Sequence, residues 1–154
     1  MDEIIKNYFA ELERIIREID REKINEIIEL IFTAWKNERI VYIMGCGGSA
    51  STATHFAADL AKSTIVPGKK GLKTMSLVDN IPLVSAWTND NGWGSVFKGQ
   101  LQNWLVPGDV LIGFSVHGGS GAGDAGPWSQ NLVQAMAFAK ENGAKIIGFS
   151  GFEG

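Results

Sequence analysis

The first forty residues alternate apolar and charged positions at helical spacing. Ile4, Ile5, Tyr8, Phe9, Leu12, Ile15, Ile16 and Ile19 recur at three- and four-residue steps, with Glu and Arg on the other side, which predicts an amphipathic helix. Asp20 is placed to cap a second helix, whose stripe is Ile24, Ile27, Ile28, Ile31 and Trp35. The first stripe is unusually apolar for a helix on one small domain, so it is expected to pack on another subunit.

From Arg39 the pattern changes to short β-branched runs separated by glycine clusters. Arg39 to Met44 reads as a strand that stops at Gly45-Cys46-Gly47-Gly48-Ser49 and leads into a helix. Pro67 to Gly71 is a turn, Leu72 to Leu77 a second strand, and Ile81 to Trp87 the start of a helix with Pro82 in its first turn. Val96, Phe97, Leu101, Trp104 and Leu105 predict a helix over Trp93 to Leu105. Pro107-Gly108-Asp109 is a turn before the buried strand Val110 to Phe114. A glycine-rich stretch follows from Ser115 to Gly126, then a helix from Pro127 through Lys140, and a last strand from Ala144 to Phe149. Apolar strands alternating with helices predict an α/β fold, a parallel sheet covered on both faces in three layers.

With 154 residues and no linker, repeat or low-complexity segment, the chain 1–154 reads as one domain with a helical extension over 1–37. Its last residues look like the opening of another loop, so a C-terminal strand and helix are expected to be missing. The net charge of −3 and the lack of a basic run exclude a general nucleic-acid binder. One cysteine, Cys46, forbids an internal disulfide, and no stretch is apolar enough for a signal peptide or a membrane span. A cytoplasmic location, no membrane and no nucleic acid are the expectations.

Two glycine-rich loops lie at carboxyl ends of predicted strands, where open parallel sheets bind ligands. They are Gly45 to Ser49 and Ser115-Val116-His117-Gly118-Gly119-Ser120. Glycine lets a backbone approach a bulky anion, and a helix N-terminus adds N–H groups and a positive dipole end. Each loop alone could equally be a tight strand–helix turn. Ala50 breaks the dinucleotide fingerprint and no Gly-Lys-Ser/Thr follows, so no nucleotide cofactor is expected. His55 and Asp59, four apart on a predicted helix, share one face. They could make a helix-face hydrogen bond, share a metal ion, or place an acid beside a base.

Together these pieces resemble the sugar isomerase (SIS) domain family, and within it the phosphoheptose isomerases. The matching segments are G-C-G-G-S-A at 45–50, H-F-A-A-D-L at 55–60, T-N-D at 88–90, G-D-V-L-I-G-F-S at 108–115, and Gly119-Ser120. The resemblance implies a flavodoxin-like SIS fold and aldose–ketose isomerisation of a phosphorylated sugar. The substrate it implies is sedoheptulose 7-phosphate, converted to D-glycero-D-manno-heptose 7-phosphate. It assigns sugar contacts to Cys46, Gly47, Gly48, Asn89 and Asp90, and phosphate contacts to Ser115, Val116, His117 and Ser120. Ser49 joins them as a hydroxyl opening the helix. It further implies metal binding at His55 and catalysis at Asp59, so that Asp59 is the expected base or metal ligand with His55 beside it as catalytic and metal residue, zinc as the metal and a homotetramer as the assembly.

The sequence departs from the family at four places. Asp59 stands for a Glu, Cys46 for an Asn, Val116 and His117 for a Thr and a Ser, and Gly121 to Trp128 is longer than usual. These changes imply a different phosphosugar or altered chemistry. His117 reads equally as a phosphate donor or a solvent-facing loop residue. The family's final Gln and His have no counterpart here, since His55 and His117 are the two histidines, so this polypeptide alone is expected to be inactive. The alternative is a non-catalytic phosphosugar sensor or partner-binding protein, with Trp87, Trp93, Trp104 and Trp128 offering a surface. A flavodoxin-like redox module fits the architecture but not the serine loops.

Overall fold

The structure is a computed structural model that describes residues 2–119 and 129–151. Two helices lead, α1 (Asp2–Glu18) and α2 (Arg21–Lys36), and Asp20 caps the second by accepting from the backbone N–H groups of Glu22 and Lys23. The remainder alternates as β1 (Ile40–Gly45), α3 (Gly48–Ser63), β2 (Lys73–Ser76), α4 (Ile81–Asn91), α5 (Val96–Leu101), β3 (Val110–Ser115), α6 (Gln130–Glu141) and β4 (Lys145–Ser150). The four strands form one parallel sheet in the order β2-β1-β3-β4. This is the expected α/β architecture. No helix among the described residues is long and apolar enough to cross a membrane.

Strand side chains alternate between two cores. Tyr42, Met44 and Leu111 pack under α4, α5 and α6 with Phe97, Leu101, Leu132 and Ala135. Val41, Ile43, Val110 and Ile112 face the other way, against Ala34 of α2 and Ala53 and Ala57 of α3. Thus α3 covers one face and α6 the other.

The helix expected over Trp93 to Leu105 is shorter. Trp93–Ser95 is a 3-10 turn, α5 stops at Leu101, and turns follow. Both Trp104 and Leu105 donate their N–H to the Leu101 carbonyl, which closes the helix. The chain then bends so that Leu105 reaches the core while Trp104 stays 58% exposed.

Asp109, read from the sequence as a turn residue, is fully buried. Its carboxylate accepts from Ile40 N–H and Val106 N–H, each at 2.9 Å, and its carbonyl accepts from Lys145 N–H at 2.8 Å. One residue therefore ties together the starts of β1, β3 and β4. Nearby, the Tyr42 hydroxyl is buried with no hydrogen-bond partner among the described residues. Burial, with the Asp109 charge adding to it, pushes this phenol up from 10.0 to about 12.

Two outcomes are expected in urea melts. Asp109→Ala should cost about 2–4 kcal/mol, since it leaves the Ile40 N–H at the start of β1 and the Val106 N–H of the turn before β3 without their acceptor. For Tyr42 the folded state holds its proton more tightly, so its contribution is whole below the unfolded-state value and is lost as pH rises. Stability should fall between pH 10 and about 12, and Tyr42→Phe should remove that part of the decline.

Candidate functional site

Both glycine loops sit where the chain leaves adjacent strands for opposite faces of the sheet. β1 ends at Gly45, where any Cβ would overlap the Ser49 carbonyl. The close approach lets α3 start at once, with Gly47 as its N-cap at φ +58 and no side chain taking its first N–H groups. Beyond β3, the Ser115 hydroxyl accepts Gly118 N–H at 3.1 Å, and Gly118 and Gly119 both have positive φ, +71 and +74. Two consecutive residues in that region make glycine the natural occupant of both.

A cleft of about 490 Å³ lies between these turns. The first loop contributes Cys46, Gly47 and Ser49, and the second Ser115, Val116 and His117. The structure therefore brings together six of the residues picked out from the sequence. Gly48 opens α3 directly beside them. Ser120 lies outside the described residues.

Sequence reasoning did not assign Ser129, Trp93 or Phe114 to this cleft, nor Asn131 buried behind it. Ser129 precedes α6 in a left-handed conformation, and its hydroxyl lies 3.3 Å from that of Ser115. It caps the helix through its carbonyl, which accepts from Leu132 and Val133 N–H, so its hydroxyl stays turned to the cleft. A serine just before the helical stripe is the signal that could have found it. Trp93, 49% exposed, stands as an aromatic wall. Asn131, fully buried, sends its amide to Cys46 Sγ at 3.2 Å and takes Leu132 N–H on its oxygen. Neither α3 nor α6 has an acidic residue in its first turn. Two positive helix ends and two hydroxyls thus face one space, a fitting seat for an anion.

Cys46 is half-buried in the wall of the cleft. Burial pushes its thiol up, and the Asn131 amide pulls it down by less.

The remaining candidates lie elsewhere. His55 Nε2 is 3.3 Å from Asp59 Oδ2, but their side chains are 82% and 63% exposed, on the side of α3 away from its buried Ala53 and Ala57. Asn89 donates to its neighbour Asp90 at 2.7 Å near the exposed end of α4. None of these four lines the cleft. As for zinc, no third His, Cys, Asp or Glu joins His55 and Asp59 among the described residues. A catalytic zinc takes three protein ligands. The pair alone does not build such a site.

A model of the SIS domain matches residues 7–151. The chain belongs to the SIS domain family. This SIS chain is 41% identical over 151 residues to the lincomycin biosynthesis protein LmbN of Streptomyces lincolnensis, spanning 98% of the chain and 54% of that protein. It is 34% identical to a phosphoheptose isomerase of Syntrophotalea carbinolica, over 97% of the chain and 73% of the relative. Among solved structures, phosphoheptose isomerase GmhA from Neisseria gonorrhoeae superposes with a TM-score of 0.83 at 28% identity, covering 99% of this chain and 76% of that one. A phosphoheptose isomerase from Francisella tularensis gives 0.84 at 20% identity, over 99% of this chain and 76% of that one, a likeness of fold. The chain spans about half the length of LmbN and roughly three quarters of these phosphoheptose isomerases.

The Cys46 thiol should alkylate with iodoacetamide more slowly at neutral pH than a free cysteine, its rate rising only at higher pH than an ordinary thiol requires. Asn131→Ala removes the interaction that lowers its pKa and should shift that profile further up.

Proposed function

We propose that this chain is the sugar-phosphate-binding part of an aldose–ketose isomerase, with sedoheptulose 7-phosphate as its substrate. One observation carries the reading: hydroxyls of Ser115 and Ser129, 3.3 Å apart, meet the N-termini of α3 and α6 in a single cleft. A phosphoryl group fits such a set of donors. The sugar would then run from that anchor along Cys46 and past the Trp93 ring. Homology to phosphoheptose isomerases supports the same class of reaction.

In the proposed reaction a base removes a proton from C1 of the ketose, giving an enediol. A proton is then delivered to C2 while the hydroxyl proton moves between the two oxygens, so nothing is gained or lost overall. Asp59 is the candidate base and His55, 3.3 Å away, the candidate proton carrier. Because both face away from their own chain's cleft, the reading requires a second copy to bring such groups to it. Zinc chemistry would likewise need ligands beyond the described residues.

The proposed assembly is a homotetramer, supported by the leading helices. No residue of α1 is buried, and Ile4, Tyr8, Phe9 and Ile16 are each more than half exposed. An apolar stripe of this length against water is characteristic of a subunit interface. A cytoplasmic location remains part of the proposal.

A second reading, a phosphosugar sensor without catalysis, is favoured by the solvent-facing placement of His55 and Asp59.

A coupled assay of the full-length protein with sedoheptulose 7-phosphate tests the first reading: interconversion is expected, and binding without turnover would leave the sensor. Ser115→Ala and Ser129→Ala should each raise KM on the order of tenfold or more, the loss of a hydrogen bond to a charged group, with a smaller change in kcat. For the assembly, Phe9→Glu with Ile16→Glu should lower the mass seen by sedimentation, and an unchanged mass would reject α1 as the interface.

A further inference from the structure

A second concave site lies at the other end of the sheet from the cleft. It is a pocket of about 450 Å³ where α2 ends and β1 and β2 begin. Five cationic side chains line it, Lys36, Arg39, Lys69, Lys70 and Lys73, and the acid among the lining residues is Glu38. The chain as a whole carries a net charge of −3, so the pocket runs against the sign of the rest of the protein. A concave wall of one sign focuses its field and concentrates counter-ions of the opposite sign.

Ordinary structural roles account for part of this cluster only. Lys73 Nζ donates to the Glu38 carbonyl at 3.1 Å and approaches its carboxylate at 3.5 Å, while Lys70 Nζ reaches that carboxylate at 3.2 Å. These two cations hold the Glu38 carboxyl below its usual range, Lys70 most strongly. Lys36, Arg39 and Lys69 have no carboxylate partner among the described residues. Lys69 lies over the Trp35 ring at 5.5 Å and Lys36 over Phe32 at 4.3 Å. Nor does the end of α2 need them. Its last carbonyls take the backbone N–H groups of Asn37, Glu38 and Arg39.

The way α2 ends also places Glu38. Glu38 has φ +54, one of two non-glycine residues with positive φ among those described; the other, Ser129, stands in the phosphate cleft. Its N–H on the Trp35 carbonyl and the Arg39 N–H on the Ala34 carbonyl make it the left-handed residue that closes α2. Here that conformation sets the Glu38 carboxylate between Lys70 and Lys73, where it acts as a built-in counter-ion. Crowded like charges otherwise repel, and exposed ion pairs return little stability.

We propose that this pocket binds a small polyanion bearing two or more phosphoryl groups. Arg39, Lys36 and Lys69 would be its primary contacts, and the anion would compete with Glu38 for Lys70. The site is separate from the sugar-phosphate cleft and does not rest on the isomerase reading.

Isothermal titration of the protein with inorganic pyrophosphate tests the site. The wild type should bind one equivalent, weakening as salt is raised. The triple variant Lys36→Ala, Arg39→Ala, Lys69→Ala should lose about tenfold or more in affinity, with its fold checked by circular dichroism. Glu38→Gln, which removes the internal competitor, should bind tighter than wild type. Ser115→Ala should leave pyrophosphate binding unchanged. A nucleoside triphosphate run in parallel separates two sources of the same chemistry: tighter binding than pyrophosphate assigns a nucleotide, and equal binding assigns free polyphosphate. No pyrophosphate binding by the wild type, equal affinity in the triple variant, or loss confined to Ser115→Ala would each overturn the proposal.

Discussion

Everything in this fold that bears on function depends on one topological split. β1 and β3 are neighbours in the sheet, and the helices that follow them cover opposite faces. Their turns therefore part at the sheet's edge and leave a crevice that neither can fill. Gly45 lets α3 begin within van der Waals reach of its strand, and Gly118 and Gly119 turn the second loop sharply. Larger residues would lengthen both turns and move the helix ends away from the crevice. The proposed anion seat would thus be a product of strand order first and of particular side chains second.

The opposite end of the sheet shows what holds that split in place. Asp109 joins the starts of three strands through backbone N–H and carbonyl groups. Its burial is tolerable because both carboxylate oxygens have donors. With the strand starts pinned, register is fixed along the sheet, and β1 ends at Gly45 beside Phe114, one residue before β3 ends at Ser115. A turn residue in the sequence is therefore the anchor for a site at the far end of the same strands.

Much of this was legible in the sequence because it is written in periodicity and punctuation. Apolar runs ended by glycine gave the strands and loops, and Asp20 marked the α2 cap. Other features depend on tertiary placement. Nothing local distinguishes the buried Asp109 from any Pro-Gly-Asp turn. The stripe from Trp93 to Leu105 satisfied helical spacing, yet the chain needed to bend at Leu101 to bring Leu105 into the core. Ser129 escaped notice because glycines and Pro127 drew the predicted helix start upstream, whereas its role comes from a contact with Ser115 fourteen residues away. The pairing of His55 with Asp59 was readable from spacing, but its solvent-facing position was not, since helix rotation is set by which small residues, Ala53 and Ala57, meet the sheet.

Those two alanines also explain why a single chain cannot be the whole of the proposed catalyst. Turning α3 so that His55 faced its own cleft would put Ala53 and Ala57 in water and a charged pair against Ile43 and Val41, a substitution the core would resist by several kcal/mol. The helix is thus locked with its ionisable pair outward. The apolar stripe of α1 is exposed on the same chain. Burying that stripe against another copy is the natural way for an outward-facing pair to acquire a partner surface. Under the proposed assembly, the packing that stabilises each subunit would also be what turns His55 and Asp59 toward a neighbour.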